Sequence, residues 1–193
     1  MVVESYEDLT KSSSDRYEYI YPDLDFTKEF TSSDIPGYFS LSSSFYQKHF
    51  DTNKYTKSLI TDLLYNADTK FSERGLVKDF QILFKNPNTV NKTGSKNESD
   101  DETKLLTKLM YSLSYPLKKE GLLYDKLLKP TLSLRYSPNN TKNISSLDRV
   151  LNSNNINAFN RMSISGGVEG GQSLTAVVEY KLKNKNGCLL YTS

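Results

Sequence analysis

The stretch that decides the fold is residues 129–181, KPTLSLRYSPNNTKNISSLDRVLNSNNINAFNRMSISGGVEGGQSLTAVVEYK. In it, two segments of alternating apolar and polar side chains lie on either side of a long polar loop at 138–170. Alternation with a period of two is typical of β-strands. The segments run from Leu128 to Tyr136 and from Ser173 to Leu182, and together they predict a hairpin of two strands.

The two faces of this predicted hairpin differ in chemistry. The apolar face holds Leu128, Pro130, Leu132, Leu134, Tyr136, Leu174, Ala176, Val178, Tyr180 and Leu182. The other face holds Lys129, Thr131, Ser133, Arg135, Ser173, Thr175, Glu179 and Lys181, with Val177 as the exception. A barrel strand with lipid outside and a wet lumen inside needs this division. A half-solvated soluble sheet needs it too, so periodicity alone leaves both open.

The bulk composition favours an all-β protein without membrane helices. The 193 residues suggest one domain or part of one. Hydrophobic residues make up 36% and the mean hydropathy is −0.59, which is low for a compact soluble core. No apolar run approaches the roughly 18 residues of a membrane helix, whereas barrel strands expose only every second residue to lipid. The 14 tyrosines suit a membrane interface, and they also suit strands in general.

Several classes of function are disfavoured by residue counts. The net charge of +2, from 25 basic and 23 acidic residues, does not favour a nucleic-acid partner. The single Cys188 permits no internal disulfide and no cysteine zinc site. The single His49 argues against a histidine metal cluster and a catalytic triad. We therefore expect a protein that is not an enzyme, without catalytic, cofactor-binding or metal-binding residues.

Five further strands are predicted ahead of the hairpin. They cover Asp15–Phe30 with a break at Pro22, Tyr38–Phe50, Tyr55–Asp68, Leu76–Lys85 and Leu105–Tyr115. A helix over residues 58–67 is the alternative within the third of them. Residues 1–14 are expected to form a polar loop. Residues 86–104 are expected to form a solvated loop, with a disordered segment as the alternative. The start of the chain lacks a signal-peptide pattern, so an exported protein would be missing its N-terminus, and a cytoplasmic protein is the alternative.

The lengths of the predicted connections favour a barrel wall. The connections at 31–37, 69–75 and 118–121 are short, whereas those at 86–104 and 138–170 are long and fall on the same end of an antiparallel meander, with 51–54 as a short exception on that end. Outer-membrane barrels have short periplasmic turns and long outer loops. Seven strands would leave two edges unpaired in lipid. The prediction is thus an antiparallel meander of about seven long strands over 15–187, an incomplete section of a large transmembrane β-barrel.

Three segments of the last third carry a resemblance to a known family. They are KPTLSLRYSPNNTKN at 129–143, the Asp148-Arg149, Asn154-Asn155 and Phe159-Asn160-Arg161 series, and VEGGQSLTAVVEYK at 168–181. The Tyr-Ser-Pro corner, the loop with an Asn-Arg pair and the acidic-Gly-Gly start of the returning strand resemble the barrel of the LptD (organic solvent tolerance protein) family. SSDRYEYIYPDLDF at 13–26 resembles an earlier barrel strand of that family. The resemblance covers residues 13–187.

The sequence also departs from the family pattern. The periplasmic jellyroll domain, the signal peptide and the cysteines that link jellyroll to barrel are not in this sequence. Residues 188–193, CLLYTS, do not continue the pattern and are interpreted as an extraneous tail, with an ordinary β-strand start as the alternative.

The resemblance implies a function in lipopolysaccharide assembly at the cell outer membrane. A family member receives lipopolysaccharide from the periplasmic Lpt bridge and passes its sugars through the barrel lumen. The lipid part enters the outer leaflet through a lateral opening, and an LptE-like plug lipoprotein is the partner. This chain would be a fragment of such a translocon, in contact with outer-membrane lipid and making or breaking no bond.

Two sets of residues are the candidates for function. The candidate lumen-facing set is Lys108, Lys129, Arg135, Glu179 and Lys181. The candidate loop set is Asp148, Arg149, Asn160, Arg161 and Glu169, in which Arg161 and Glu169 are expected to pair. The alternatives are a solvated sheet face, a piece of a porin or transporter barrel, and a soluble antiparallel β domain. Packing of the apolar face against a second layer would favour the soluble domain, and one continuous exposed band would favour the barrel.

Overall fold

The computed structural model describes residues 2–7, 9–10, 17–50, 54–92, 99–138, 155–161, 167–184 and 189–192. Over these ranges the protein is all-β and forms one antiparallel sheet of 12 strands. Within the same ranges, no helix is long and apolar enough to cross a membrane.

Consecutive strands pair in order, so the sheet is a meander. Its main path is β1 (Val2–Glu7), β2 (Tyr17–Phe30), β3 (Gly37–Phe50), β4 (Tyr55–Ala67), β6 (Val77–Lys92), β8 (Leu106–Ser114), β10 (Tyr124–Ser137), β11 (Gly171–Asn184) and β12 (Leu189–Thr192). Three short strands lie off this path: β5 (Lys70–Phe71) and β7 (Ser99–Thr103) pair with β6, and β9 (Leu117–Lys119) pairs with β10. The sheet is open, with β1 and β12 at its two ends.

The predicted all-β meander and its seven long strands are confirmed. The alternative helix over residues 58–67 is wrong, because this segment lies inside β4 and pairs with β3 and β6 along its length. The predicted break at Pro22 is a register irregularity. Ile20 is opposite Lys48 and Asp23 is opposite Tyr46, so β2 holds one more residue than β3 across this interval. A bulge is where a strand tolerates a residue without an N–H donor.

Three segments differ from the sequence prediction. Residues 2–7, expected in a loop, form β1. The expected loop at 86–104 is largely strand, because β6 continues to Lys92 and β7 pairs back onto it. Residues 189–192, interpreted as an extraneous tail, pair with β11, as the alternative of a β-strand start anticipated. In each case a neighbouring strand supplies backbone hydrogen-bond partners, and these do not depend on an apolar side chain.

From β4 to β11 the sheet is inverted relative to a soluble half-sheet, because its buried side chains are mostly on the polar face, whereas residues 24–30 of β2 are exposed on both faces. On β10, Leu132 is 42% exposed while the adjacent Ser133 is 1% exposed. Cross-strand partners share a face, so the exposed band continues from Leu134 on β10 to Tyr111 on β8, and half-buried Phe80 on β6 lies next to it on the same face. All described strands belong to one sheet, so within the described ranges no second sheet packs on this band.

Candidate functional site

Arg135 joins a loop segment to the polar face of the sheet. Its side chain is 2% exposed and donates three hydrogen bonds. Nη1 donates to Thr175 Oγ1 on β11 at 3.0 Å. Nε donates to the carbonyl oxygen of Ala158 at 3.1 Å, and Nη2 to that of Ile156 at 3.0 Å. The planar guanidinium thus holds residues 155–161 against β10 and β11.

Glu169 lies beside this contact and pairs with two cations. Arg161 Nε donates to Glu169 Oε2 at 3.0 Å, and Arg161 Nη2 donates to the other carboxylate oxygen. Lys108 Nζ donates to Glu169 Oε2 at 3.3 Å. The ammonium of Lys108 also lies 5.5 Å from the ring centroid of Phe159, within cation–π range. The predicted pairing of Arg161 with Glu169 is confirmed, in the bidentate geometry that makes such pairs strong.

We call Lys108, Arg135, Phe159, Arg161 and Glu169 the loop-docking network. Its charged members are largely buried, with side-chain exposures of 1% for Lys108, 7% for Arg161 and 13% for Glu169. Burial alone raises the pKa of the Glu169 carboxyl, but the hydrogen bond from Arg161 and the charge of Lys108 outweigh it and leave that pKa below its usual value. Three cations face one carboxylate, so the network keeps a positive surplus.

The remaining sequence-predicted residues fall outside the network. Lys129 lies opposite Glu179 in the β10–β11 register. Glu179 pairs with Lys181 at 2.5 Å, and both side chains are over a third exposed. Asn160 lies next to the network, and its Oδ1 is buried without a hydrogen-bond partner among the described atoms. Asp148 and Arg149 lie outside the described residues.

Elsewhere, polar-face side chains pair across neighbouring strands. Lys85 Nζ donates to Asp62 Oδ2 at 2.6 Å, and Gln81 Nε2 donates to Asn66 Oδ1 at 2.6 Å. Ser133 Oγ donates to Ser112 Oγ at 3.3 Å. In the part of the chain that the structure describes, no group of three or more His, Cys, Asp or Glu is placed to hold a metal ion. The polar face therefore offers hydrogen bonds and charge rather than a reacting group.

A second feature of the polar face lies at the other end of β10 and β11. A cavity of about 260 Å³ is lined by Lys118, Asp125, Lys126, Leu127, Lys181 and Lys183. We call it the lysine cavity. Ten residues separate Asp125 from Arg135, which corresponds to roughly 33 Å along a strand. Of these lining residues only Lys181 was predicted from the sequence, because the strand register that brings the lysines together is not visible in one segment.

Comparison with known proteins adds no assignment: no family model, no curated protein and no solved structure matches this chain.

Proposed function

We propose that this chain forms part of the wall of an outer-membrane β-barrel that assembles lipopolysaccharide into the outer leaflet. The observation that carries the proposal is the inverted sheet, in which Leu134 is 52% exposed and the neighbouring Arg135 is 2% exposed. Burying a guanidinium while exposing leucine is unfavourable in water. It is favourable where the apolar face meets hydrocarbon and the polar face meets a hydrated lumen.

The dimensions of β10 support a membrane-spanning wall. Tyr124 and Tyr136 lie at the two ends of its exposed face, about 40 Å apart at ~3.3 Å per residue. A strand tilted by about 40° covers roughly 30 Å of that length along the membrane normal, the thickness of the hydrocarbon core. Tyrosines at both limits match the aromatic belts of membrane interfaces.

The open ends of the sheet indicate how the wall is completed. In lipid, the outer edges of β1 and β12 require backbone hydrogen-bond partners. Additional strands, from the same polypeptide or from a second one, supply them in this proposal. The sheet described here is then a section of a larger barrel.

The loop-docking network supports the proposal because it contains residues that carry the resemblance to the LptD family. Phe159 and Arg161, two of the residues that carry it, contact Lys108 and Glu169 on the polar face. A loop held against the wall shapes the lumen through which the sugars of lipopolysaccharide pass. Lipopolysaccharide, an LptE-like plug and the periplasmic Lpt components are the proposed partners, and no covalent step is involved.

A porin or transporter barrel is the second candidate. The cationic surplus of the loop-docking network supports it as much as the first candidate, because a positive lumen attracts small anionic solutes as well as an anionic glycolipid. The soluble β domain is the weakest candidate, since within the described residues no layer covers the exposed apolar band.

Adjacent residues on opposite faces test the membrane orientation. In a Cys188→Ser background, Leu132→Cys and Thr131→Cys are each labelled with a fluorophore in lipid vesicles. We expect lipid-borne nitroxides to quench the label at position 132 several-fold more than at position 131, and a water-soluble quencher to give the opposite order. Equal quenching by lipid at both positions contradicts a wall with one lipid-facing side.

A second pair of labels separates lipopolysaccharide assembly from solute transport. A photo-crosslinking side chain replaces Thr131 or, as the matched control, Leu132 in Gram-negative cells. The outer-facing position contacts lipopolysaccharide in any outer-membrane barrel. A lipopolysaccharide adduct at position 131 supports passage along the lumen. An adduct restricted to position 132 supports the porin or transporter.

A further inference from the structure

The lysine cavity lies at the end of the sheet opposite the loop-docking network. Register places Leu127 of β10 between Lys118 of β9 and Lys181 of β11, and Asp125 opposite Lys183. These residues belong to the polar face that also carries Arg135. Their convergence therefore follows from the pairing of three strands rather than from one flexible loop.

The lining carries a positive surplus that is open to solvent. Three lysines, Lys118, Lys181 and Lys183, lie on the same face as Asp125 around the cavity, whereas Lys126 lies on the opposite face of β10 with Leu128. Two of the lysines have acidic neighbours: Lys118 pairs with Glu120 at 2.7 Å and Lys181 with Glu179 at 2.5 Å. These pairs are 36–73% exposed, so water and salt screen them and each is weak. A multivalent anion can compete with such weak partners for the ammonium groups.

Asp125 requires a hydrogen-bond donor from the ligand, whereas the lysines require an anion. Its Oδ1 is buried and has no hydrogen-bond partner among the described atoms. A buried acceptor without a donor destabilises the folded state. A ligand that offers both an anionic group to the lysines and a hydroxyl to Asp125 satisfies the two parts of the cavity together.

The size of the cavity limits the ligand. Its 260 Å³ corresponds to about nine water volumes of ~30 Å³ each. Pockets for drug-sized molecules begin at about 300 Å³. The cavity thus suits a phosphorylated sugar ring rather than an entire lipid.

We propose that the lysine cavity binds a hydroxyl-bearing phosphate ester of the sugar phosphate class, with the phosphate among the lysine ammonium groups and a hydroxyl donating to Asp125. Such a group is either the headgroup of a glycolipid or a free sugar phosphate. The glycolipid source rests on the proposed function, whereas binding of the free compound does not.

Calorimetric titration of the full chain in detergent micelles tests the cavity with glucose phosphate, inorganic phosphate and glucose. We expect glucose phosphate to bind more tightly than inorganic phosphate, glucose to give no signal, and salt to weaken binding by screening. The double variant Lys118→Gln/Lys183→Gln should weaken glucose phosphate binding at least tenfold. Lys28→Gln, an exposed lysine on β2, is the matched control and should leave it unchanged. Absence of glucose phosphate binding, or equal losses in both variants, overturns the proposal.

Asp125→Ala separates the hydroxyl contact from general attraction of anions. Removing the carboxylate lowers repulsion, so inorganic phosphate should bind more tightly than in the unaltered chain. The preference for glucose phosphate over inorganic phosphate should fall several-fold. An unchanged preference contradicts the role of Asp125.

Lipopolysaccharide in place of glucose phosphate distinguishes the source of the ligand. Binding of both, with the same loss in the lysine variant, supports the headgroup of a glycolipid. Binding of glucose phosphate alone supports the free compound and counts against the proposed function. A lipopolysaccharide adduct at position 131 without glucose phosphate binding overturns the cavity proposal and leaves the proposed function intact.

Discussion

The two ends of the β10–β11 pair accommodate the charged side chains of the polar face in different ways. Near Arg135 the polar face is covered: a loop segment lies on it, and Glu169 neutralises two buried cations. Around Lys183 the polar face is open, and its acidic partners are exposed. Charge that is buried must be paired to be tolerated, whereas exposed charge needs no partner and stays available for a ligand. The covered end is therefore expected to be structural and the open end to be a binding surface.

Matched Glu→Gln substitutions at the two ends give the largest expected contrast. Glu169→Gln leaves Lys108 and Arg161 buried without their counter-charge and should lower the free energy of unfolding by about 3–5 kcal/mol. Glu179→Gln removes an exposed pair with Lys181 and should cost at most about 1 kcal/mol. Urea unfolding from detergent micelles measures both. Similar losses in the free energy of unfolding at the two sites would contradict the distinction between a covered and an open end.

Arg135→Lys tests the fork geometry at the covered end with its charge retained. One ammonium cannot reproduce three guanidinium bonds to Thr175, Ala158 and Ile156. We expect a loss of about 1.5–3 kcal/mol, the scale of one charged hydrogen bond. A spin label at Asn157→Cys in a Cys188→Ser background should also become more mobile. If the Arg135→Lys variant keeps full stability and the mobility of the label is unchanged, then charge rather than geometry holds the loop.

Acid should release the covered end with a smaller effect. A Glu carboxyl in an unfolded chain titrates near pH ~4.3. Because the folded pKa of Glu169 is lowered, its contribution is present above that pH and is lost as the pH falls through the lower folded value. The label at position 157 should become mobile across that range. In the Glu169→Gln variant its mobility should be independent of this titration, and a persistent acid transition there would point to another group.

The strands were predictable because their signal is local. Alternation of Leu132 with Ser133 and of Leu134 with Arg135 requires only neighbouring residues, and it anticipated both faces of β10. The strands β1 and β7 were not anticipated, and β12 only as an alternative, since their side chains carry little alternation and their backbone partners lie in other segments.

The candidate site was predictable in part. Arg161 and Glu169 are eight residues apart, so their opposite charges could be paired from the sequence. Lys108 and Glu169 are 61 residues apart, and their contact requires the register of β8 against β10 and the return of the loop. The lysine cavity has the same origin, because Lys118, Asp125 and Lys183 meet only when three strands are aligned.

By itself, the sequence determined an all-β chain with one apolar and one polar face, because the period of two places every second side chain on the same side. The tertiary structure alone decided which charges are covered and which stay open. Burial depends on the strand register and on the position at which a loop contacts the sheet. Both are determined by pairs of segments that are distant in the sequence. Arg135 and Lys183 look alike in the sequence as cations on alternating strands, and only the folded sheet covers one and leaves the other exposed.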